Sequence, residues 1–258
     1  GLVCDMDGVL WRGPSPLPGV AQLLGWLRGE GIPFALATNN SSRQPREYVT
    51  RLAEMGAAID AERIVTSALA AADWLLRTRG PGIGVHALGG SGLRAALEAA
   101  GMRLLAEGQP EQAEVVAAGI DFDLTYRKLA AAARQICGGA AFVGTNGDVT
   151  YPSEDGWLPG AGSILAALQA CTGVAPFVIG KPEPAIFEMA LRRLGTPAER
   201  TVMVGDRLDT DIVGARRAGL RTILVLTGID SAEAAAGAET GPDLIVRDLP
   251  HLLALWRS

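Results

Sequence analysis

Cysteine and histidine are scarce in this chain. Of its 258 residues three are cysteine, Cys4, Cys137 and Cys171, and two are histidine, His86 and His251. The cysteines are odd in number and far apart, and none forms a Cys-x-x-Cys pair. That excludes a disulfide framework and a structural zinc centre. They read instead as small buried hydrophobes of a protein in a reducing cytoplasm. A basic excess is also missing. The net charge is −5, which argues against a nucleic-acid partner. No stretch approaches the roughly 18 uninterrupted apolar residues of a membrane span. The sequence does not open on a basic-then-apolar segment. Gly1-Leu2-Val3-Cys4 already reads as the middle of a strand, so residues are expected to precede it.

What is present is apolar and periodic. Apolar residues make up 48% and charged residues 20%, enough for a sizeable core in one large or two modest domains. Short apolar runs alternate with amphipathic stretches. Strands are expected at 2–4, 33–38, 201–205 and 221–226, and helices at 17–31, 45–55 and about 210–218. A stretch near 232–238 reads as a surface helix or loop. Strands alternating with helices imply a parallel sheet covered on both faces, an α/β fold. The middle behaves as its own unit, with strands expected at 83–88, 114–119 and 140–144 and helices at 93–100 and 126–137. Gly80-Pro81-Gly82 and the run from Gly173 to Pro176 punctuate it. The expected organisation is a discontinuous core of residues 1–77 and 176–258, with a smaller α/β domain at 78–175 inserted into it.

Four motifs fall at strand ends, where open α/β sheets bind ligands. In Asp5-Met6-Asp7-Gly8 a buried strand ends in two carboxylates spaced two apart. Such carboxylates repel unless a cation or proton lies between them, which makes a Mg²⁺ site natural; a turn or a helix cap is the plainer use of the same residues. A calcium loop is ruled out, because Leu10 stands where glycine is needed and Pro16 where glutamate is needed. Thr38-Asn39-Asn40-Ser41-Ser42 offers a hydroxyl and backbone amides to an anion, or serves as an N-cap. The run Phe177-Val178-Ile179 reads as a strand delivering Lys181, a point charge suited to phosphate. Gly205-Asp206-Arg207-Leu208-Asp209-Thr210-Asp211 ends another strand in acids. Each motif is ambiguous alone; together they place acids, hydroxyls and a lysine at four strand tips in an order that phosphoryl transfer can use.

Asp5-x-Asp7-Gly8, Thr38-Asn39, Lys181-Pro182 and Gly205-Asp206-x4-Asp211 resemble the four ordered motifs of the haloacid dehalogenase-like (HAD) hydrolase superfamily. The likeness runs over the whole chain. Asp5-Met6-Asp7-Gly8-Val9-Leu10-Trp11 and Gly180-Lys181-Pro182-Glu183-Pro184 look most like the branch of NagD-type sugar phosphatases, 4-nitrophenyl phosphatases, phosphoglycolate phosphatases and pyridoxal phosphate phosphatase. The resemblance implies a Rossmann-like core with an inserted α/β cap of the C2 type, since about 140 residues separate Thr38 from Lys181 and little room lies between Asp7 and the helix near Leu17.

That likeness also implies a mechanism. Asp5 is the nucleophile that forms an aspartyl-phosphate, and Asp7 is the acid/base that dehalogenases lack. Mg²⁺ is held by Asp5, the Asp7 carbonyl and Asp206, with Asp211 orienting the metal's waters or Lys181. Thr38 and Lys181 act on the phosphoryl group, with phosphate binding at Gly8, Asn39 and Asn40. Asp209 is a spare acid. In the cap, Asn146 and Asp148 of Gly144-Thr145-Asn146-Gly147-Asp148 face the leaving group or simply form a turn. Gly119-Ile120-Asp121-Phe122-Asp123 is a weaker version of the same pattern. The expected partner is a small phosphorylated metabolite, with a homodimer implied by relatives and no nucleic acid or membrane.

Three rivals compete with this reading. Gly90-Ser91-Gly92-Leu93-Arg94-Ala95 formally matches a dinucleotide-binding loop, but the acid expected about 20 residues later is missing and Glu107 comes early. A non-catalytic binder on the same fold would not need both Asp5 and Asp7. A phosphomutase would use the same nucleophile and return phosphate to another hydroxyl.

Overall fold

The computed structural model describes residues 1–106, 109, 111–153 and 156–257; Glu107 lies outside the described residues. The chain divides into two compact units. One comprises 1–38, 45–65 and 181–258, and the other comprises 39–44 and 66–180.

The first unit is built on a six-stranded sheet. Its order is Leu244–Val246, Arg221–Val225, Val202–Gly205, Leu2–Asp5, Phe34–Thr38 and Ile64–Thr66. The pairings of Leu2–Asp5 with both neighbours are parallel. Leu2–Asp5 and Phe34–Thr38 are buried along their whole length, as continuous apolar runs require. Helix Val20–Gly29 turns Val20, Leu23, Leu24 and Leu27 inward, at the i, i+3, i+4, i+7 spacing of one helical face. These residues join Leu2, Cys4, Phe34, Leu36 and Val204 in one core. The order of connection reverses beside Leu2–Asp5, and at such a switch point the carboxyl ends open a crevice.

The second unit has its own five-stranded parallel sheet: Phe177–Val178, Ala141–Gly144, Val115–Ala118, Gly84–Leu88 and Arg103–Leu104. Helices Ser67–Arg79, Ser91–Ala99, Tyr126–Cys137 and Ala161–Thr172 accompany it, with an antiparallel hairpin of Thr150–Ser153 and Gly156–Pro159. The unit is wider than residues 78–175, for two reasons. Helix Ser67–Arg79 packs on Ser91–Ala99, and Phe177–Val178 pairs with Val143 and Gly144. Phe177–Val178 is therefore an edge strand of this sheet, so Lys181 does not come off a strand of the first sheet as the sequence implied.

Two of the cysteines also depart from expectation. Cys4 is buried, but Cys137 and Cys171 are exposed near the C-termini of their helices. Among the described residues no helix is long and apolar enough to cross a membrane.

Candidate active site

Three adjacent strands of the first unit bring the motifs together. Asp5 lies level with Ala37 and Cys4 with Val204. Thr38 and Asp206 therefore each stand about one residue beyond Asp5 at the same sheet end. Asp5, Asp206 and Asp211 are buried, and each offers a carboxylate oxygen within 4.8 Å of the others. Lys181, only 3% exposed, points into this cluster. Its Nζ donates to Asp5 Oδ1, to Asp211 Oδ1 at 2.7 Å and to the Ala37 carbonyl at 3.4 Å.

The second oxygen of Asp211 accepts from the amides of Asp206 at 3.1 Å and Arg207 at 3.2 Å. Asp211 thus ties Lys181 to the turn that presents Asp206. That turn is not the plain helix start expected from Thr210. It opens with a wide π-type turn over Leu208–Ile212, in which the Ile212 amide reaches the Arg207 carbonyl, and only then becomes α-helical at Val213–Arg217. The widening puts Asp211 back under the strand end, and π-turns of this kind recur at functional sites.

Asp206 is held from the other side. Its Oδ2 accepts the Ile229 amide at 2.8 Å, and Asp230 caps the same turn by accepting the Leu208 amide at 2.7 Å. Two glycines make room for this carboxylate. Gly8 has φ +81°, and a Cβ there would stand 2.3 Å from Asp206 Oδ2; one on Gly228 would stand at 1.8 Å. The segment Thr227 to Asp230 follows strand Arg221–Val225 and had no motif to announce it. Its only sequence signal is a glycine two residues before an aspartate, just past a strand.

The electrostatics follow from crowding acids away from water. Burial pushes the Asp5 carboxyl well above its ordinary range despite the pull of Lys181, and Asp211, Asp206 and Asp7 add to the rise. Burial, then Asp211, raises Asp206 to about 7. Burial alone would lower Lys181, but Asp211 and Asp5 outweigh it and hold the ammonium above its ordinary value. Three carboxylates face one ammonium here. An all-oxygen, buried donor set with negative charge in excess suits a hard divalent cation such as Mg²⁺.

Asp7 is not one of the three. It is exposed, and its Oδ1 accepts the indole N–H of Trp11 at 2.8 Å. Asp209 points outward, paired with the Arg207 guanidinium at 2.8 Å.

In the second unit Asn39, Asn146 and Asp148 form one network. Asn39 Nδ2 donates to Asp148 Oδ2 at 3.0 Å, and Asn146 Nδ2 donates to the Asn39 carbonyl at 2.7 Å. Asn146 Oδ1 also accepts the Asp148 amide at 3.1 Å, which closes a turn. Asn40 Oδ1 accepts from the amide and hydroxyl of Ser42. Asp121 is paired with Lys128 at 2.9 Å. The glycine run at 90–92 has a structural explanation: a Cβ on Gly92 would lie 2.7 Å from the Ser41 carbonyl and 2.6 Å from that of Arg43. The chain itself occupies the start of that helix.

Comparison with known proteins matches this geometry to a family. Residues 2–103 match the model for haloacid dehalogenase-like hydrolases, and residues 178–252 match a HAD-hydrolase-like model. The chain is 40% identical to an acid sugar phosphatase of Staphylococcus aureus over 250 residues, 97% of this chain and 95% of the relative. A glycerol phosphate phosphatase from Mycobacterium tuberculosis, solved with magnesium, superposes with a TM-score of 0.91 at 39% identity, covering 97% of this chain and 75% of that one. A 4-nitrophenylphosphatase from Thermotoga maritima gives a TM-score of 0.91 at 36% identity, covering 98% and 95%. With aspartates ending two neighbouring strands, a buried lysine between them and full-length likeness to these proteins, this chain belongs to the haloacid dehalogenase-like hydrolases.

Proposed function

We propose that this protein is a Mg²⁺-dependent phosphatase that releases inorganic phosphate from small phosphate monoesters through Asp5, with sugar and polyol phosphates as its substrate class. The observation that carries the reading is the buried cluster of Asp5, Asp206, Asp211 and Lys181 at the carboxyl ends of the central strands. The substrate class rests on the acid sugar phosphatase and the glycerol phosphate phosphatase that the chain resembles.

Lys181 engages Asp5 Oδ1, so we assign the attack on phosphorus to Oδ2. The Asp5–phosphorus bond forms as the bond to the leaving oxygen breaks, and Asp7 gives that oxygen its proton. Water then attacks the aspartyl-phosphate and passes a proton to Asp7, and phosphate leaves Asp5 free again. Lys181 and the Thr38 hydroxyl stabilise the equatorial oxygens, where charge accumulates; Gly8 completes the phosphate contacts that the first unit offers. The Asp5 and Asp206 carboxylates and the Asp7 carbonyl would hold Mg²⁺, which supplies electrostatic stabilisation to the transferring group. Asp211, with both oxygens on protein donors, positions Lys181 and the Asp206 turn. Asn146 and Asp148 orient Asn39. The exposed free thiols of Cys137 and Cys171 suit the cytoplasm. A homodimer is the assembly we expect, and sedimentation tests it.

The test is phosphate release from 4-nitrophenyl phosphate, glycerol phosphate, phosphoglycolate, sugar phosphates and nucleoside monophosphates, with Mg²⁺ and with EDTA. Metal-dependent turnover, ranked highest on sugar or polyol phosphates, is expected. A folded protein that binds Mg²⁺ and turns over none of them overturns the reading.

A further inference from the structure

Trp11 has a role that no motif assigned. It sits in the short strand Trp11–Arg12, fully buried, at the end of a tight turn and four residues after the exposed Asp7. That turn is closed by the Gly8 amide on the Trp11 carbonyl at 2.8 Å and by the Leu10 amide on the Met6 carbonyl at 2.7 Å. The indole packs against two residues of helix Pro45–Glu54. Tyr48 stacks on it with centroids 6.3 Å apart and planes 9° from parallel, and the Arg51 guanidinium lies 4.1 Å over the ring. Arg51 also donates to the Gly13 carbonyl and so pins the loop beyond. A ring this confined has one orientation for its N–H, and the N–H is aimed at Asp7 Oδ1.

An indole nitrogen only donates. In the neutral acid the carbonyl oxygen is the stronger acceptor, so an indole donor on Oδ1 favours the proton on Oδ2. We infer that Trp11 is the positioning residue of the general acid: it holds the Asp7 carboxyl in one rotamer and reserves Oδ2 as the oxygen that carries and delivers the proton. The inference rests on the acid/base role proposed for Asp7. During ester cleavage the Oδ2–H bond breaks as the leaving oxygen gains the proton, while Oδ1 keeps its hydrogen bond. Without the indole N–H both oxygens compete for the proton and the carboxyl rotates, so a share of encounters presents no acid to the leaving group.

The experiment separates this from a packing role by the leaving group. Alkyl phosphates need a proton on the departing alkoxide; 4-nitrophenolate leaves as an anion. Trp11→Phe keeps an aromatic ring on Tyr48 and under Arg51 but removes the donor. For glycerol phosphate kcat/KM, which reports the steps through alcohol release, falls about 10-fold, part of the 10²–10⁴ that a general acid supplies. For 4-nitrophenyl phosphate it falls about 3-fold or less. Equal losses on the two esters, or no loss on either, overturn the assignment. Should Trp11→Phe fail to fold, benzothienylalanine at position 11 keeps the indole shape with sulfur in place of N–H and gives the same test. Asp7→Asn is the control. If it still turns over glycerol phosphate, the acid/base reading of Asp7 is what fails; if it is inactive while both Trp11 replacements behave as wild type, only the inference about Trp11 fails.

Discussion

The two units are both parallel α/β sheets, yet their strand ends are finished differently. In the first, Asp5 and Asp206 at the strand ends and Asp211 in the following turn are buried around a single lysine, with negative charge in excess. In the second, the residues beyond the strands satisfy one another. Thr145 donates to the Ser41 hydroxyl at 3.1 Å, Asn146 to the Asn39 carbonyl and Asn39 to Asp148, and the buried acid Asp121 has Lys128. Both are α/β units; what matters here is whether the polar groups at the strand ends are left with work for a ligand. Activity follows that difference and not the architecture.

The sharpest way to break the comparison is at Asp5. Asp5→Asn keeps the shape and removes the nucleophile proposed above, so phosphate release falls by at least ~10³-fold on every ester, while circular dichroism still reports a folded protein. Residual turnover near wild type would mean that the buried cluster is not the reacting site.

Next come the glycines that admit these carboxylates. Gly228→Ala sets a methyl 1.8 Å from Asp206 Oδ2. It should displace Asp206, weaken Mg²⁺ activation about 100-fold and cost ~1–3 kcal/mol in urea unfolding. The matching change in the second unit, Gly119→Ala, sets a methyl 2.6 Å from Ser41 Oγ and 2.7 Å from Thr145 Oγ1. It should cost a similar ~1–3 kcal/mol and leave the Mg²⁺ concentration dependence of turnover unchanged. If both variants shift the metal dependence alike, the contrast between the units is lost.

The excess charge also predicts a pH dependence. Asp206 titrates at about 7 in the folded protein, above the roughly 3.9 of an unfolded aspartate. Between those values the folded state holds a proton that the unfolded state has lost. Its stabilising contribution is therefore complete below the unfolded value and is lost as pH rises toward 7. Without Mg²⁺, thermal unfolding should show stability falling from pH 5 to pH 8, by an amount on the order of a few kcal/mol. With saturating Mg²⁺ the fall should shrink or vanish, because the cation takes the proton's place. A metal-free protein equally stable at both pH values would mean that the carboxylates are already compensated.

The smallest effect tests the second unit alone. Thr145→Val leaves the Ser41 hydroxyl without its donor and should cost ~1 kcal/mol, with kcat on 4-nitrophenyl phosphate within a factor of two of wild type.

Most of the framework was legible because burial on both faces writes itself as apolar runs. Leu2 to Cys4 and Pro33 to Thr38 mark their strands almost to the residue. The acids stood out for the opposite reason: Asp5 and Asp206 end such runs abruptly. Partnership was not legible. Phe177–Val178 is apolar enough for either sheet, and only its register with Val143 and Gly144 assigns it. The Trp11 indole reads as one more core ring until its N–H is seen on Asp7. The loop from Thr227 to Asp230 supports Asp206 through backbone amides and absent side chains, which leave almost no mark in composition. Cys137 and Cys171 looked buried from their apolar neighbours, but each faces outward near the end of an amphipathic helix.

The placing of the three sulfurs has a practical consequence. Cys4 is fully buried in the strand that ends in Asp5, and burial pushes its thiol up, whereas Cys137 and Cys171 are exposed. A thiol reagent added to the native protein labels the two outer cysteines at once. It reaches the third only in molecules whose central strand has come out of the sheet. Mass spectrometry of the peptide that carries both Cys4 and Asp5 therefore works as a clock for the opening of the central sheet, set one residue from the proposed nucleophile and needing no introduced probe.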